Sequence, residues 1–167
     1  ELAALARLLR EARLVTLTGV GGVGKTRLAL EAGRRALGEL AAVRFVDLSP
    51  VGDPSAVTRT VAAAFGLADE HDTPLEDVLA AQLRDEELLL LLDNCEHVRD
   101  ACAALATVLL ERCPLLQILA TSREQLPIAG AVDFAVPPLA LPPLDASNEE
   151  LRAAESVRLL LTRAREA

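Results

Sequence analysis

Residues 16–30 read TLTGVGGVGKTRLAL, with four glycines between positions 19 and 24 and then Lys25 and Thr26. Glycine loses more conformational entropy on folding than any other residue, so such a cluster between two apolar segments needs a specific reason. Gly19, Gly24, Lys25 and Thr26 satisfy G-x-x-x-x-G-K-[ST], placed after a predicted strand, LVTLT, and opening a predicted helix. Without Cβ atoms in the way, successive backbone N–H groups can turn inward and form an anion-binding nest at the positive end of that helix. On this reading Gly19, Gly21, Gly22, Val23, Gly24, Lys25, Thr26 and Arg27 form the nucleotide-binding stretch. Lys25 reaches the β- and γ-phosphates and the Thr26 hydroxyl ligates Mg²⁺. The plain alternative is a glycine-rich turn that ends in Lys-Thr.

Working outward, Leu2, Leu5, Leu8 and Leu9 fall at helical spacing, which predicts an amphipathic helix over 2–11. The helix that begins at Lys25 runs to Leu37, with Gly38 where a C-cap would stand. VRFVDL is a second strand, and Asp53 with Pro54 marks the N-cap and first turn of a crossover helix. Thr73, Pro74 and Glu76 read as a capping box over another. ELLLLLD lacks alternation, the mark of a strand buried on both faces. Val98, Ala101, Leu105, Val108 and Leu109 form one face of the next helix, followed by the strands LQILATS and VDFAVPPL. Strands and helices alternate, so the expected fold is a three-layer α/β domain on a mainly parallel, five-stranded sheet. PPLALPPLDASNEE reads as a linker, and Ser147 with Glu150 as a second capping box. The expected division is a core over 1–144 and a truncated helical segment over 145–167.

Asp93 closes the apolar run and so stands at the sheet edge where α/β folds bind ligands, the place of a Walker B acid that holds Mg²⁺ directly or through water. The alternative is a cap for the following helix. Asn94 comes next, where many ATPases carry a second acid that activates water, and an amide cannot act as that base. Glu96 is the nearest remaining carboxylate; it is either the group that positions water or a first-turn acid favourable to the helix dipole. His97 is read first as a solvated or structurally bonded residue and second as a γ-phosphate sensor or a partner for Glu96. Thr121, Ser122 and Arg123 end a strand at the same edge, and a guanidinium there can reach a γ-phosphate bidentately. Lys25, Asp93, Glu96 and Arg123 are thus the candidate catalytic residues, and Thr26 and Asp93 the candidate metal ligands. His71, in the acidic loop ADEHDT, is expected to be exposed.

Composition narrows the classes. The chain has 167 residues, 51% hydrophobic, enough for one buried core. A net charge of -8, with 17 basic residues scattered among 25 acids, argues against a nucleic-acid surface. Three Phe and no Trp or Tyr leave no stacking platform. Cys95, Cys102 and Cys113 are odd in number and lack C-x-x-C spacing, so neither zinc nor a disulfide framework is suggested; they are expected to pack the core of a reduced, cytoplasmic chain. No apolar run approaches the roughly 20 residues of a membrane helix. Glu1 at the start and LLLTRAREA at the end suggest a piece of something longer.

Together, RLVTLTGVGGVGKTRLALEA, LLLLLDNCEHV and CPLLQILATSREQLPIAGAVDFAVPPLALPP resemble the nucleotide-binding domain of bacterial STAND-class regulators of the LuxR and SARP types, itself similar to the NB-ARC module. The resemblance implies a P-loop NTPase fold with ASCE strand order, and LLLLLD beside the phosphate-loop strand rather than the second strand. It implies a Walker A role for Gly19 to Thr26, a Walker B role for Asp93 and a sensor role for Arg123. It also implies an ATP/ADP switch, off with ADP and on with ATP, often oligomeric when on. The family's G-R-E and G-L-P-L motifs, winged helix, DNA-binding domain and repeats are not in these residues. The expected function is therefore the nucleotide-binding core of a transcriptional regulator that hydrolyses ATP slowly. A turnover ATPase or nucleotide kinase is the competing reading, and an interaction domain that has lost nucleotide is a third, which intact Lys25, Thr26 and Asp93 disfavour.

Overall fold

The computed structural model describes residues 1–68 and 73–138 together with positions 147, 149, 154 and 157. The chain divides into two compact units, Glu1–Val136 and Pro137–Ala167. His71, Glu150 and the expected boundary at 144 lie outside the described residues.

In the first unit the element order is α1 (Leu2–Glu11), β1 (Leu14–Thr18), α2 (Lys25–Ala36), β2 (Ala42–Asp47), α3 (Val57–Ala63), α4 (Leu75–Leu83), β3 (Leu88–Asp93), α5 (Arg99–Arg112), β4 (Leu116–Thr121) and β5 (Val132–Ala135). The five strands form one sheet in the order β2-β3-β4-β1-β5, and every neighbouring pair is parallel. Because side chains alternate across a strand, the sheet feeds two cores. On one face Leu88, Leu90, Leu92, Ile118 and Ala120 pack with α3, α4 and α5; on the other Leu89, Leu91, Leu119, Val15 and Leu17 pack with α1 and α2. All six residues of β3 are buried, as an unbroken apolar run in the middle of a parallel sheet requires.

The expected neighbour of β3 is corrected. β3 lies beside the second strand, β2, and not beside β1: β4 stands between β3 and β1, paired to each. A leucine run reports burial on both faces and carries no information about which strand supplies the hydrogen bonds. Here α5 returns the chain from β3 to the adjacent position, and β4 takes the place next to β1.

Two caps also differ. Pro74 has ψ 130, outside the helical range, so it precedes α4 as N-cap, and no side chain bonds the first turn; the expected Thr73 box does not form. Gly38 lacks a positive φ, and α2 ends at Leu37 in right-handed geometry followed by a tight turn from Gly38 N–H to the Arg35 carbonyl. Asp53 does cap, its Oδ1 accepting from Ser55 N–H at 2.9 Å, but over a 3₁₀ turn that leads into α3.

Candidate functional site

The glycine loop joins β1 to α2. Gly24, the N-cap of α2, has φ 94 and ψ 17, a left-handed conformation that glycine enters without a Cβ penalty. No side chain caps this helix start, so its first N–H groups face the loop without a side-chain acceptor. Gly19 has φ 147, and a Cβ there would lie 2.8 Å from the Val136 carbonyl oxygen at the end of β5. Gly21, Gly22 and Gly24 are exposed, as is Arg27, while Val23 packs partly into the core.

Lys25 is 8% exposed. Its Nζ donates to the loop's own carbonyls, Gly19 at 2.8 Å and Val20 at 3.1 Å, and no carboxylate among the described residues forms an ion pair with it. Buried charges are ordinarily paired, so a buried ammonium with only neutral acceptors fits an anion brought from outside. On the next residue the Thr26 hydroxyl reaches Asp93 at 2.8 and 3.0 Å, joining the start of α2 to the end of β3. Thr121 at the end of β4 donates to Asp93 Oδ1 at 2.5 Å. Asp93 is 3% exposed and has hydroxyl partners rather than a cation. A hydroxyl and a carboxylate are hard oxygen ligands suited to Mg²⁺. No cluster of three or more His, Cys, Asp or Glu exists among the described residues, so a metal here would share its shell with water and phosphate, the usual habit of Mg²⁺.

Asn94 follows in left-handed geometry, φ 62 and ψ 49, the one non-glycine residue with positive φ among those described. Its N–H donates to Thr121 Oγ1 at 3.0 Å, and its side-chain amide donates to Asp93 Oδ2 at 3.0 Å and to Asp47 Oδ1 at 3.2 Å. Asp47 ends β2 in register with Asp93. The Ser49 N–H, then its hydroxyl and the Asn94 amide, hold the Asp47 carboxyl below the usual range. Asp47 was not among the residues expected at the site. Its signal was a second strand that ends, like LLLLLD, in aspartate.

The remaining candidates sit apart from this cluster. Glu96 lies in a 3₁₀ turn, Cys95–His97, and faces Arg123, whose Nε is 3.5 Å from Glu96 Oε1. The Arg123 side chain is 69% exposed. Both line a cleft of about 640 Å³ with Arg99, Ser122 and Glu124, beside the end of the sheet. His97 Nε2 bonds the carbonyls of Leu48 at 3.0 Å and Val51 at 2.8 Å; two carbonyl partners require a proton on that nitrogen, so His97 ties down the segment after β2 rather than Glu96. Cys95 and Cys102 are fully buried; the Cys102 thiol beside it, and burial, push the Cys95 thiol above its usual range, which makes it packing rather than a nucleophile.

A family model for an AAA domain matches residues 7–128. The chain belongs to the AAA domain family. Over 135 residues this AAA domain is 46% identical to a Mycobacterium tuberculosis protein named "Putative HTH-type transcriptional regulator", covering 80% of the chain and 15% of that protein. It is 44% identical over 142 residues to an uncharacterized protein of the same species, covering 84% of the chain and 36% of the relative. The chain therefore spans well under half the length of these relatives. Among solved structures, the AAA domain aligns with Cdc6p from Pyrobaculum aerophilum at a TM-score of 0.61 and 14% identity, covering 99% of this chain and 48% of that one. It aligns with a Signal Transduction ATPase with Numerous Domains (STAND) protein carrying a tetratricopeptide repeat sensor, from Pyrococcus horikoshii, at 0.60 and 15%, covering 91% and 24%. At these identities the likeness is one of fold. No helix among the described residues is long and apolar enough to cross a membrane.

Proposed function

We propose that this AAA domain binds ATP and ADP with Mg²⁺ and serves as the nucleotide switch of a longer, cytoplasmic transcriptional regulator of the NB-ARC-like, LuxR or SARP type. The observation that carries the reading is Lys25: a buried ammonium with no ion-pair partner among the described residues, at the mouth of an uncapped helix and one residue from a hydroxyl–carboxylate pair. Gly19 to Thr26 would cradle the phosphates in the Walker A role, and Thr26 and Asp93 would hold Mg²⁺, which offsets phosphate charge when bound.

Slow hydrolysis, rather than turnover, is supported by Asn94 and Glu96. The residue after Asp93 is an amide engaged by two carboxylates, and the next acid along, Glu96, is turned to Arg123. An amide cannot take a proton from water, and the second oxygen of Glu96 is buried without a hydrogen-bond partner among the described residues. A site that holds nucleotide without consuming it quickly suits a switch whose ATP state drives activation or self-assembly. The mycobacterial relative named for a helix-turn-helix regulator supports placing the switch beside a DNA-binding domain outside these residues. With a net charge of -8 this segment is not expected to touch DNA itself.

The test is to denature the purified protein and identify the nucleotide released. Retained ADP near one per chain is the expected result. A protein that carries none, and that turns over ATP many times per second, would point to the competing turnover ATPase or kinase.

A further inference from the structure

Two carboxylates end adjacent parallel strands in direct register, Asp47 on β2 and Asp93 on β3. Like charges so placed repel unless a donor stands between them. The group between them is the Asn94 side chain. Both its contacts, Asp93 Oδ2 at 3.0 Å and Asp47 Oδ1 at 3.2 Å, are to acceptors, so chemistry fixes the amide nitrogen, and not the oxygen, toward them. An amide nitrogen has two hydrogens, one for each carboxylate.

The backbone completes the grip. The Asn94 N–H donates to Thr121 Oγ1, which passes its own proton toward Asp93 Oδ1. One oxygen of Asp93 is thus steadied through the Asn94 side chain and the other through its main chain. Asp47 is a firm anchor for this arrangement, since Ser49 N–H bonds its Oδ1 at 2.8 Å and Ser49 Oγ its Oδ2 at 2.9 Å.

We propose that Asn94 is a positioning residue for Asp93, its amide bridging Asp93 to Asp47 so that the carboxylate is presented in one orientation toward Thr26 and a Mg²⁺–nucleotide. The inference rests on the nucleotide-binding reading above and adds Asp47 to the site as the far end of the bridge. It also assigns a reason for an amide at the position after Asp93. An acid there is an acceptor only; it would donate to neither neighbour and would place three carboxylates at one sheet edge.

The test measures ATP affinity by calorimetry, with Mg²⁺ and with EDTA, for the full chain and for Asn94→Asp, Asn94→Gly and the double variant Asp47→Asn with Asn94→Asp. Glycine keeps the left-handed backbone, so Asn94→Gly is the variant that folds even where the acid does not. Loss of an outer partner of a metal ligand typically costs about 10–100-fold in metal affinity, so both single variants are expected to lose Mg²⁺-dependent ATP affinity on that scale while the EDTA affinity is unchanged. The double variant is expected to show no recovery over Asn94→Asp, because the amide introduced at position 47 reaches only the acid at 94, which donates nothing to Asp93. Wild-type Mg²⁺ dependence in both single variants, an equal fall with and without Mg²⁺, or recovery in the double variant would overturn the bridge. A parent chain that binds no ATP would overturn the nucleotide reading with it, and a parent that binds normally beside unaffected variants would overturn the bridge alone.

Discussion

Lys25 holds its charge beneath the glycine loop with only the Gly19 and Val20 carbonyls for company. Those two bonds are what an incoming phosphate would replace, and a charge-assisted bond is worth about 1.5–3 kcal/mol against leaving it unmade. Lys25→Ala is therefore expected to weaken ATP binding by roughly ten- to a hundredfold with little change in melting temperature, since the lysine pairs with no other charge among the described residues. Unchanged affinity in calorimetry would remove the loop from the site. At this scale the sequence was informative where a residue's role depends on its chain neighbours. Gly24, Lys25 and Thr26 lie within one turn of one helix, and their spacing announces that placement. Asp47 and Thr121 act on Asp93 from strands that lie far away in sequence, and no spacing rule reaches across a sheet.

Among the elements, α2 lies close against the sheet, and Gly33 shows how close. A Cβ at Gly33 would sit 2.7 Å from Leu91 Cδ1 and 3.2 Å from Val43 Cγ1, both in the core beneath the helix. Replacing Gly33 by valine adds volume where none is free, and overpacking of this kind costs about 1–3 kcal/mol. Gly33→Val should lower the urea midpoint accordingly, and because α2 begins at Lys25 it should also loosen nucleotide binding; a variant as stable as the parent would show that the helix can ride up without penalty. In α2 the buried Leu28, Ala29 and Ala32 stand at amphipathic spacing, which is a local property of the sequence. Helix ends were less legible. The first turns over Asp53 and Pro74 depend on whether one ψ angle turns helical before or after a proline, and many sequences satisfy either outcome.

For the whole molecule the question is how one nucleotide differs from another. Arg123 leaves the end of β4 and is 69% exposed, and its partner Glu96, at 3.5 Å, is 28% exposed, so the guanidinium stands at the solvent side of the pair, where a terminal phosphate can reach it. A group that meets only the γ-phosphate gives ATP a differential affinity for one conformation, which is the requirement for shifting a population. In the full-length protein, Arg123→Ala is expected to leave ADP affinity nearly unchanged, to lower ATP affinity and to reduce ATP-driven assembly. Equal changes for the two nucleotides, measured side by side, would end the sensor role. Fold class was readable from the alternation of strands and helices, whereas the neighbours of LLLLLD were not: burial on both faces is common to β3 and β4, and only the crossover geometry separates them.

The sheet order has a consequence for the order in which the domain is made. β1 finds neither of its partners nearby in the chain; it pairs with β4 at 116–121 and with β5 at 132–135. The glycine loop that follows β1 is thus among the first segments of the domain to leave the ribosome and among the last to be held in place. Until Thr121 has emerged, the strand beneath the loop has no neighbour, Asp93 lacks its shortest hydrogen bond, and α2 rests on half a sheet. Non-local parallel pairing of this kind is slow, because closure entropy is spent before contacts return it. A nascent chain would carry its phosphate-binding sequence for most of the domain's synthesis without a phosphate-binding site, and acquire the site in a single late step when the fourth strand slots between the first and the third.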